Sequence, residues 1–276
     1  MTYLAFLAAT LCYLFLGPGG PLHRDSWFAL LKGRVEALEP EFGLGVFLLV
    51  LIPSAGFALL YGVLEQIFGG AAMLLLGTAA LFFSFGRLDW VALVERCRAR
   101  ARVEDYQGVA LVIEEAGGDP IHVEDLDELG RVVSRELLYE GFQRWFPPAL
   151  YFVLIGPVGA VAYRLIQLAS DDSKVPVGSL RYLVDWLPAR LLWLSFGVVG
   201  NLAGLRGASG DRLMDPEINT DELLLEGLES ALDVERDSTE ESQPPLPLKH
   251  IERVYDGIKG SFFLWLITVS VLVILS

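Results

Sequence analysis

The sequence predicts an all-α, polytopic integral membrane protein. Three observations carry that prediction. Apolar runs lie at residues 42–64, 69–86, 147–169, 183–205 and 261–275, separated by acidic and arginine-rich stretches. A hydrocarbon core about 30 Å thick is crossed by roughly 20 apolar residues in a helix, and the run 147–169 reaches that length with Arg164 as its single charge. Hydrophobic residues make up 53% of the chain against 20% charged, more apolar than an ordinary soluble domain. The net charge of -14 is gathered into residues 87–144 and 206–259 rather than spread. So acidic a chain lacks the basic footprint that nucleic acid requires.

The first element is a short apolar run, residues 3–16, about 21 Å long as a helix. Its n-region is Met1-Thr2-Tyr3, without the positive charge of a signal peptide, and Gly17-Pro18-Gly19-Gly20-Pro21 follows it. A retained helix, spanning or lying in the interface, is expected over a cleaved signal. Residues 1–41 are thus expected to form an N-terminal apolar helix and a cytosolic segment.

Residues 42–64 and 69–86 predict a transmembrane hairpin turning at Glu65-Gln66. Pro53 and Gly56 are tolerable inside a membrane helix. Gly69, Gly70, Ala71, Ala72, Gly77, Ala79 and Ala80 permit close helix packing.

Residues 87–146 form the first polar region. Leu126, Leu129, Val132, Val133, Leu137, Leu138 and Phe142 recur at three- and four-residue spacing, so 123–145 reads as an amphipathic helix with Glu128, Arg131 and Arg135 on its polar face. This helix is expected to feed into Pro147-Pro148 and a span at 147–169; with 183–205 it makes a transmembrane pair. In the second polar region, 206–259, Leu224, Leu225, Leu228, Ala231 and Leu232 mark a short helix capped near Asn219-Thr220. Residues 237–247 read as an acidic, proline-rich loop. Ile251, Val254, Tyr255 and Ile258 then restart a stripe that enters a last span at 260–276.

Lysine and arginine set the orientation. Residues 87–144 carry eight arginines, whereas 170–182 carry only Lys174 and Arg181. The bias places 87–144 in the cytosol, with 206–259 beside it if 183–205 crosses. Cys97 would then face a thiol reagent from the cytosolic side. The series Arg96, Arg98, Arg100 and Arg102 reads as a solvated helix end, with anionic lipid as its other use.

Two clusters draw attention as candidate ligand sites. In Asp185-Trp186-Leu187-Pro188-Ala189-Arg190 an acid and a base stand five residues apart at the mouth of an apolar helix. Ionisable residues at membrane depth are functional candidates; equally, Asp185 can cap a helix starting near Pro188, Trp186 can join an interfacial belt and Arg190 can snorkel. Tyr163-Arg164 is the second cluster, where Arg164 could meet a lipid headgroup or a substrate anion.

Phosphate loops, HExxH and GxSxG are absent from the sequence. Cys12 and Cys97 show no disulfide framework or metal spacing. His122 with Glu124 and Asp125 can be drawn as a metal site, but acids at a helix start explain it better. The residues call for no metal and assign no cofactor.

An ordered set of short motifs across 131–204 resembles the AmpE family, within the CobD/CbiB superfamily. It consists of Arg135-Glu136-Leu137-Leu138, Pro148-Ala149-Leu150-Tyr151-Phe152, Gly156-Pro157-Val158-Gly159-Ala160, Tyr163-Arg164 and Asp185-Trp186-x-Pro188-x-Arg190-Leu191. The resemblance implies a CobD/CbiB-like fold with cytosol-facing helical loops. It implies a multi-pass protein of the bacterial inner (cytoplasmic) membrane, associated with β-lactamase induction and peptidoglycan recycling. Membrane lipid, a muropeptide ligand and the cytosolic anhydromuramyl-amide amidase of that pathway are the partners it suggests. Relatives in the wider superfamily join an aminopropanol side chain to adenosylcobyric acid, so a membrane-bound amide-forming synthase is the alternative. Those synthases read Glu-Asn and then Asp-Gly where this chain has Tyr139-Glu140 and Gln143-Arg144. They carry an asparagine and Leu-Asp-Ser where it has Gln167 and Ala169-Ser170-Asp171. Glu140 and Arg144 therefore join Tyr163, Arg164, Asp185, Trp186, Pro188 and Arg190 as candidate ligand-binding residues, and a regulatory role is favoured over ligase chemistry.

Overall fold

A computed structural model describes residues 2–17, 25–86, 88–118, 121, 125–171, 177–215, 218–232 and 246–275. It is 88% helical, with no strand among the described residues. In chain order the helices are α1 (Thr2–Leu16), α2 (Ser26–Glu36), α3 (Phe42–Val46), a π-helical segment (Phe47–Leu51), α4 (Ile52–Phe68), α5 (Gly70–Ser84), α6 (Trp90–Arg102) and α7 (Tyr106–Glu115). There follow α8 (Leu126–Ile155), α9 (Pro157–Ser170), α10 (Gly178–Val199), α11 (Leu202–Ser209), a 3₁₀ turn (Gly210–Met214), α12 (Thr220–Leu232) and α13 (Leu246–Leu275). Among the described residues three helices are long and apolar enough to cross a membrane: Phe42–Phe68, Gly178–Val199 and Pro247–Val271. The chain divides into two compact units, the first being Met1–Arg87, Arg144–Pro188 and Val269–Ser276, the second Leu88–Gln143 and Ala189–Thr268.

In the first unit α1 lies against α5 through small residues. A Cβ on Gly77 would stand 3.1 Å from that of Ala5, so the backbones approach as the glycine- and alanine-rich pattern requires. Thr78 Oγ1 donates to Leu74 O at 2.6 Å and lies 3.4 Å from Ala5 O. Tyr13 meets the rings of Phe85 and Trp145 edge-on. A core of Phe28, Val35, Leu49, Val50, Ala80, Val161, Leu165 and Ala169 joins α2, the π segment, α5 and α9. Pro53 explains the π segment. Proline has no N–H for the carbonyl four residues back, which is that of Leu49. The helix widens just before it, with Ile52 N–H bonding Phe47 O five residues back.

The second unit contains both polar stretches. Helix α6 is capped by Asp89 and α7 by Asp105, whose carboxylates accept from Ala92 N–H and Gly108 N–H. On α8 the predicted stripe is buried through Leu129, Val133, Leu137, Leu138 and Phe142, with Arg131 and Arg135 exposed. Trp90 Nε1 donates to Leu137 O at 2.7 Å, and its ring lies against Gly141, where a Cβ would come within 2.9 Å. Trp90 stacks on Tyr255, centroids 6.0 Å apart and 6° from parallel. Trp193 of α10 packs on Gly227 of α12, where a Cβ would approach to 2.3 Å. Arg131–Glu229, Arg135–Asp221 and His250–Asp127 link α8 with α12 and α13.

Several expectations change. The run 147–169 is not one span. Helix α8 continues through Pro147-Pro148 to Ile155, and the chain turns at Gly156 (φ 87, ψ -165) before α9 starts on Pro157. Glycine alone adopts that backbone cheaply, and proline disfavours the helical region for the residue before it. The run 183–205 is likewise split, α10 ending at Val199 and α11 starting at Leu202. Asp185 sits well inside α10, so it does not cap a helix. Arg98 is not solvated. It is 7% exposed, bonded to Glu95 at 2.6 Å, paired with Glu252 and 4.0 Å from the Tyr255 centroid; Arg96, Arg100 and Arg102 are exposed. Of the His122, Glu124 and Asp125 group, His122 and Glu124 lie outside the described residues, as do most of 237–247.

Cys97 is buried within α6, and burial pushes its thiol up to about 12. It should stay unlabelled by thiol reagents at pH 8 from either side of a membrane and react once the protein is unfolded, because the thiolate is the reactive form. Rapid native labelling, followed by mass spectrometry, would contradict this burial. Gly227→Ala should cost about 1–3 kcal/mol by overpacking Trp193. Gly33→Ala, which meets open space on α2, should be neutral or slightly stabilising in the same detergent melt.

Candidate functional site

Helix α9 is fourteen residues long, and ten are buried, among them Tyr163, Arg164 and Gln167. A polar side chain with no route to water must be satisfied by the protein. Tyr163 and Arg164 are consecutive, so they leave the helix about 100° apart and serve different partners.

Tyr163 serves α10. Its hydroxyl donates to Asp185 Oδ1 at 2.8 Å, and Asp185 is 1% exposed. Arg181, one turn earlier on α10, holds its Nε 3.9 Å from Asp185 Oδ2 and bonds Asp171 at 2.8 Å. Pro188 adds a further tie. It cannot donate to the carbonyl of Val184, and Tyr151 of α8 supplies the donor instead, Oη to Val184 O at 2.7 Å. Tyr151 in turn stacks on Tyr163 with centroids 5.9 Å apart. The three motif fragments containing Tyr151, Tyr163 and Asp185–Pro188 therefore meet in one hydrogen-bonded cluster.

Arg164 serves α2 and the end of α5. Its Nη2 donates to Asp25 Oδ2 at 3.0 Å and its Nη1 to Gln167 Oε1 at 2.6 Å. Asp25 stands at the N-cap of α2 without capping it, because its carboxylate turns to Arg164. Lys32, further along α2, reaches the carbonyls of Leu168 and Asp171 at the C-terminal end of α9. That end carries partial negative charge, so a cation suits it. Arg144 joins from α8. A Cβ on Gly86 would stand 2.7 Å from Arg144 Nη1 and 2.9 Å from Arg164 Nη1. Both guanidiniums therefore crowd one backbone position, where a glycine with φ 78 leaves room for them by having no side chain.

Of the residues singled out by sequence, the first unit holds Arg144, Tyr163, Arg164, Asp185, half-buried Trp186 and Pro188. Glu140 and Arg190 belong to the second, where Glu140 accepts from Gln143 Nε2 at 2.5 Å. Arg190 donates from Nε to Leu213 O and from Nη2 to Asp215 O, both at 3.1 Å. Residues five apart on a helix point about 140° from each other, which does not favour the Asp185–Arg190 pairing the sequence suggests. Asp25, Gly86, Tyr151, Gln167 and Arg181 were not singled out. Arg181 and Gln167 had a signal, one helical turn from Asp185 and Arg164 respectively; Asp25 and Gly86 had none.

The cluster offers a buried acid, two phenols and a pair of guanidiniums, a set suited to recognising a polar or anionic group. Among the described residues no group of three His, Cys, Asp or Glu could hold a metal ion. Compared with protein-family models, curated proteins and solved structures, the chain matches none. Fold and site thus define, among the described residues, a helical protein with three helices of membrane-crossing length and a buried polar cluster centred on α9.

A double-mutant cycle tests the cluster. Tyr163→Phe and Asp185→Asn should each destabilise the protein by about 1–3 kcal/mol and be clearly non-additive, because they share a buried hydrogen bond. Asp185→Asn and Arg190→Met should add within about 0.5 kcal/mol. Strong coupling in the second pair alone would restore the ion pair expected from sequence.

Proposed function

We propose that this chain is a multi-pass protein of the bacterial cytoplasmic membrane with a regulatory role, AmpE-like, reporting on cell-wall recycling and through it on β-lactamase induction. The observation that carries the reading is the meeting of separate motif fragments. Tyr151, Tyr163 and Asp185 belong to three of the short motifs on which the resemblance rests, and they share hydrogen bonds and ring stacking in one apolar unit. A ligand of this pathway, such as a muropeptide, carries carboxylates and hydroxyls that a buried cluster of this chemistry would recognise. The second unit, with exposed arginines on α6, offers a surface for a cytosolic partner, for which the anhydromuramyl-amide amidase is the candidate.

The synthase alternative is disfavoured by the chemistry of the substituted positions. ATP-dependent transfer relies on metal ions held by carboxylates. Gln143 and Arg144 stand where the resembling synthases carry an acid, and the Arg144 guanidinium lies beside that of Arg164.

Deleting the chain should alter the β-lactamase induction curve or the pool of anhydromuropeptides, and expressing it should not rescue a cobinamide-synthase deletion. Rescue would replace the regulatory reading with the enzymatic one. An unchanged induction curve and muropeptide pool would remove the regulatory reading. The membrane orientation is read with Val103→Cys, an exposed position just after α6. In a background without Cys12 it should label in inverted vesicles and not in intact cells.

A further inference from the structure

We propose that α2 is an interfacial helix, whose Trp27 and Leu30 seat in the headgroup–acyl boundary of the bilayer that the helix Phe42–Phe68 enters. The inference rests on the membrane reading above and is independent of the cell-wall role. At about 100° per residue, Leu30, Trp27, Leu31, Val35 and Phe28 cover an apolar arc of about 160° around α2, interrupted by Arg34. Ser26, Ala29, Lys32, Gly33 and Glu36 occupy the rest of the circumference. The protein covers one edge of the arc. Phe28 and Val35 are 2% and 4% exposed, in one core with Leu49 and Val50 of the π segment. The other edge is bare, with Trp27 46% and Leu30 69% exposed. The helix cannot roll to hide them, because Asp25 at its start bonds Arg164 and Lys32 reaches the carbonyl of Leu168.

Position along the chain says what covers that edge. Residues 37–41 alone separate α2 from the start of Phe42–Phe68, a helix of membrane-crossing length. Its 27 residues rise about 40 Å, about 10 Å more than a hydrocarbon core needs. The π segment that packs with Phe28 and Val35 begins about 8 Å from the start of that helix. This sets α2 at the depth where hydrocarbon gives way to headgroups. A helix in that layer meets protein, acyl chains and water at once, and α2 has a side for each. Phe28 and Val35 take the protein, Trp27 and Leu30 the chains, and exposed Ala29, about 160° around the helix from Trp27, takes the water. Tryptophan suits such a boundary, its ring among acyl chains and its N–H among headgroups. Arg34, one turn beyond Leu30, has a stem that can lie along the chains while its guanidinium meets lipid phosphates.

The test uses the full chain reconstituted in liposomes of phosphatidylcholine and phosphatidylglycerol. Cys12→Ser removes the partly exposed thiol, and Cys97 is buried. Nitroxide spin labels are placed one at a time through Leu30→Cys, Ala29→Cys and Leu59→Cys, the last at a position 72% exposed on α4. Collision with oxygen, which concentrates in lipid, and with a water-soluble nickel chelate reads the depth of each label. Support is a label at residue 59 that is deep, one at residue 30 that is shallow but still favours oxygen, and one at residue 29 that favours the chelate. The proposal is overturned if the labels at residues 29 and 30 favour the chelate alike while that at 59 stays deep, an outcome that leaves the membrane reading standing. A label at residue 59 open to the chelate overturns both. Dipolar broadening between labels at residue 30, removed by dilution with unlabelled protein, shows a second copy on this face and also overturns it. If Leu30→Cys does not fold, Trp27 is read instead. Lipids brominated near the carbonyl end of the chain should quench a component of the fluorescence that is missing from Trp27→Phe, and equal quenching in wild type and Trp27→Phe overturns the proposal.

Discussion

The turn at Gly156 sets the terms for the first unit. Without it the run from Pro147 to Ala169 would be a single span with one awkward arginine. With it, the first helix stops at Ile155, the chain turns at Gly156 with positive φ and restarts on Pro157 as a helix buried over ten of its fourteen residues. Every polar group on that helix then needs a partner from the protein. Tyr163 finds Asp185, and Arg164 finds Asp25 and Gln167. The last carbonyls of the helix find Lys32. The positions of α2 and α10 follow from these demands as much as from apolar packing.

Proline plays a complementary part. Each proline inside a helix frees a carbonyl, and two such sites organise this unit. At Pro53 the backbone itself absorbs the defect by widening into a π turn, which places Leu49 and Val50 in the core with α9. At Pro188 the freed carbonyl of Val184 recruits the Tyr151 hydroxyl, which fixes the ring that stacks on Tyr163. A residue usually counted as a helix breaker here creates the acceptor that ties α8 to α10.

Much of this was legible in the sequence, for reasons that can be stated. Helical periodicity exposed the stripe of α8, because burial on one face repeats at 3.6 residues. Ionisable residues inside apolar runs pointed to Tyr163-Arg164 and Asp185, which form the cluster. The partners were less legible. Asp25 lies 139 positions from Arg164 and reads locally as an ordinary helix cap. Gly86 reads as the end of a hairpin, and its role depends on two side chains arriving from other helices. Hydropathy counting misread 147–169, since it averages over Gly156-Pro157, whose local chemistry signals a break. It misread Arg98 for the opposite reason: a charge among charges looks solvated, until Tyr255 and Glu252 arrive from α13 to cover it.

Both units mix exposed charges with buried ones, Arg98 and Arg190 in the second and Arg164 and Asp185 in the first. In the second, ion pairs such as Arg131–Glu229 and Arg135–Asp221 are open to solvent, where each is worth about 0–1 kcal/mol. The specificity there comes from large rings seated on glycines, Trp90 on Gly141 and Trp193 on Gly227, where no extra methyl fits. In the first, Arg164 and Asp185 are buried at 5% and 1% exposure. Removing one partner of a buried charge exposes the other to an apolar surround, at a cost of about 3–5 kcal/mol. Such groups are poor devices for stability alone, because an apolar residue of the same volume often serves as well. Arg164 and Asp185 are held in place instead by particular polar partners, Asp25 and Gln167 for the one and Tyr163 for the other.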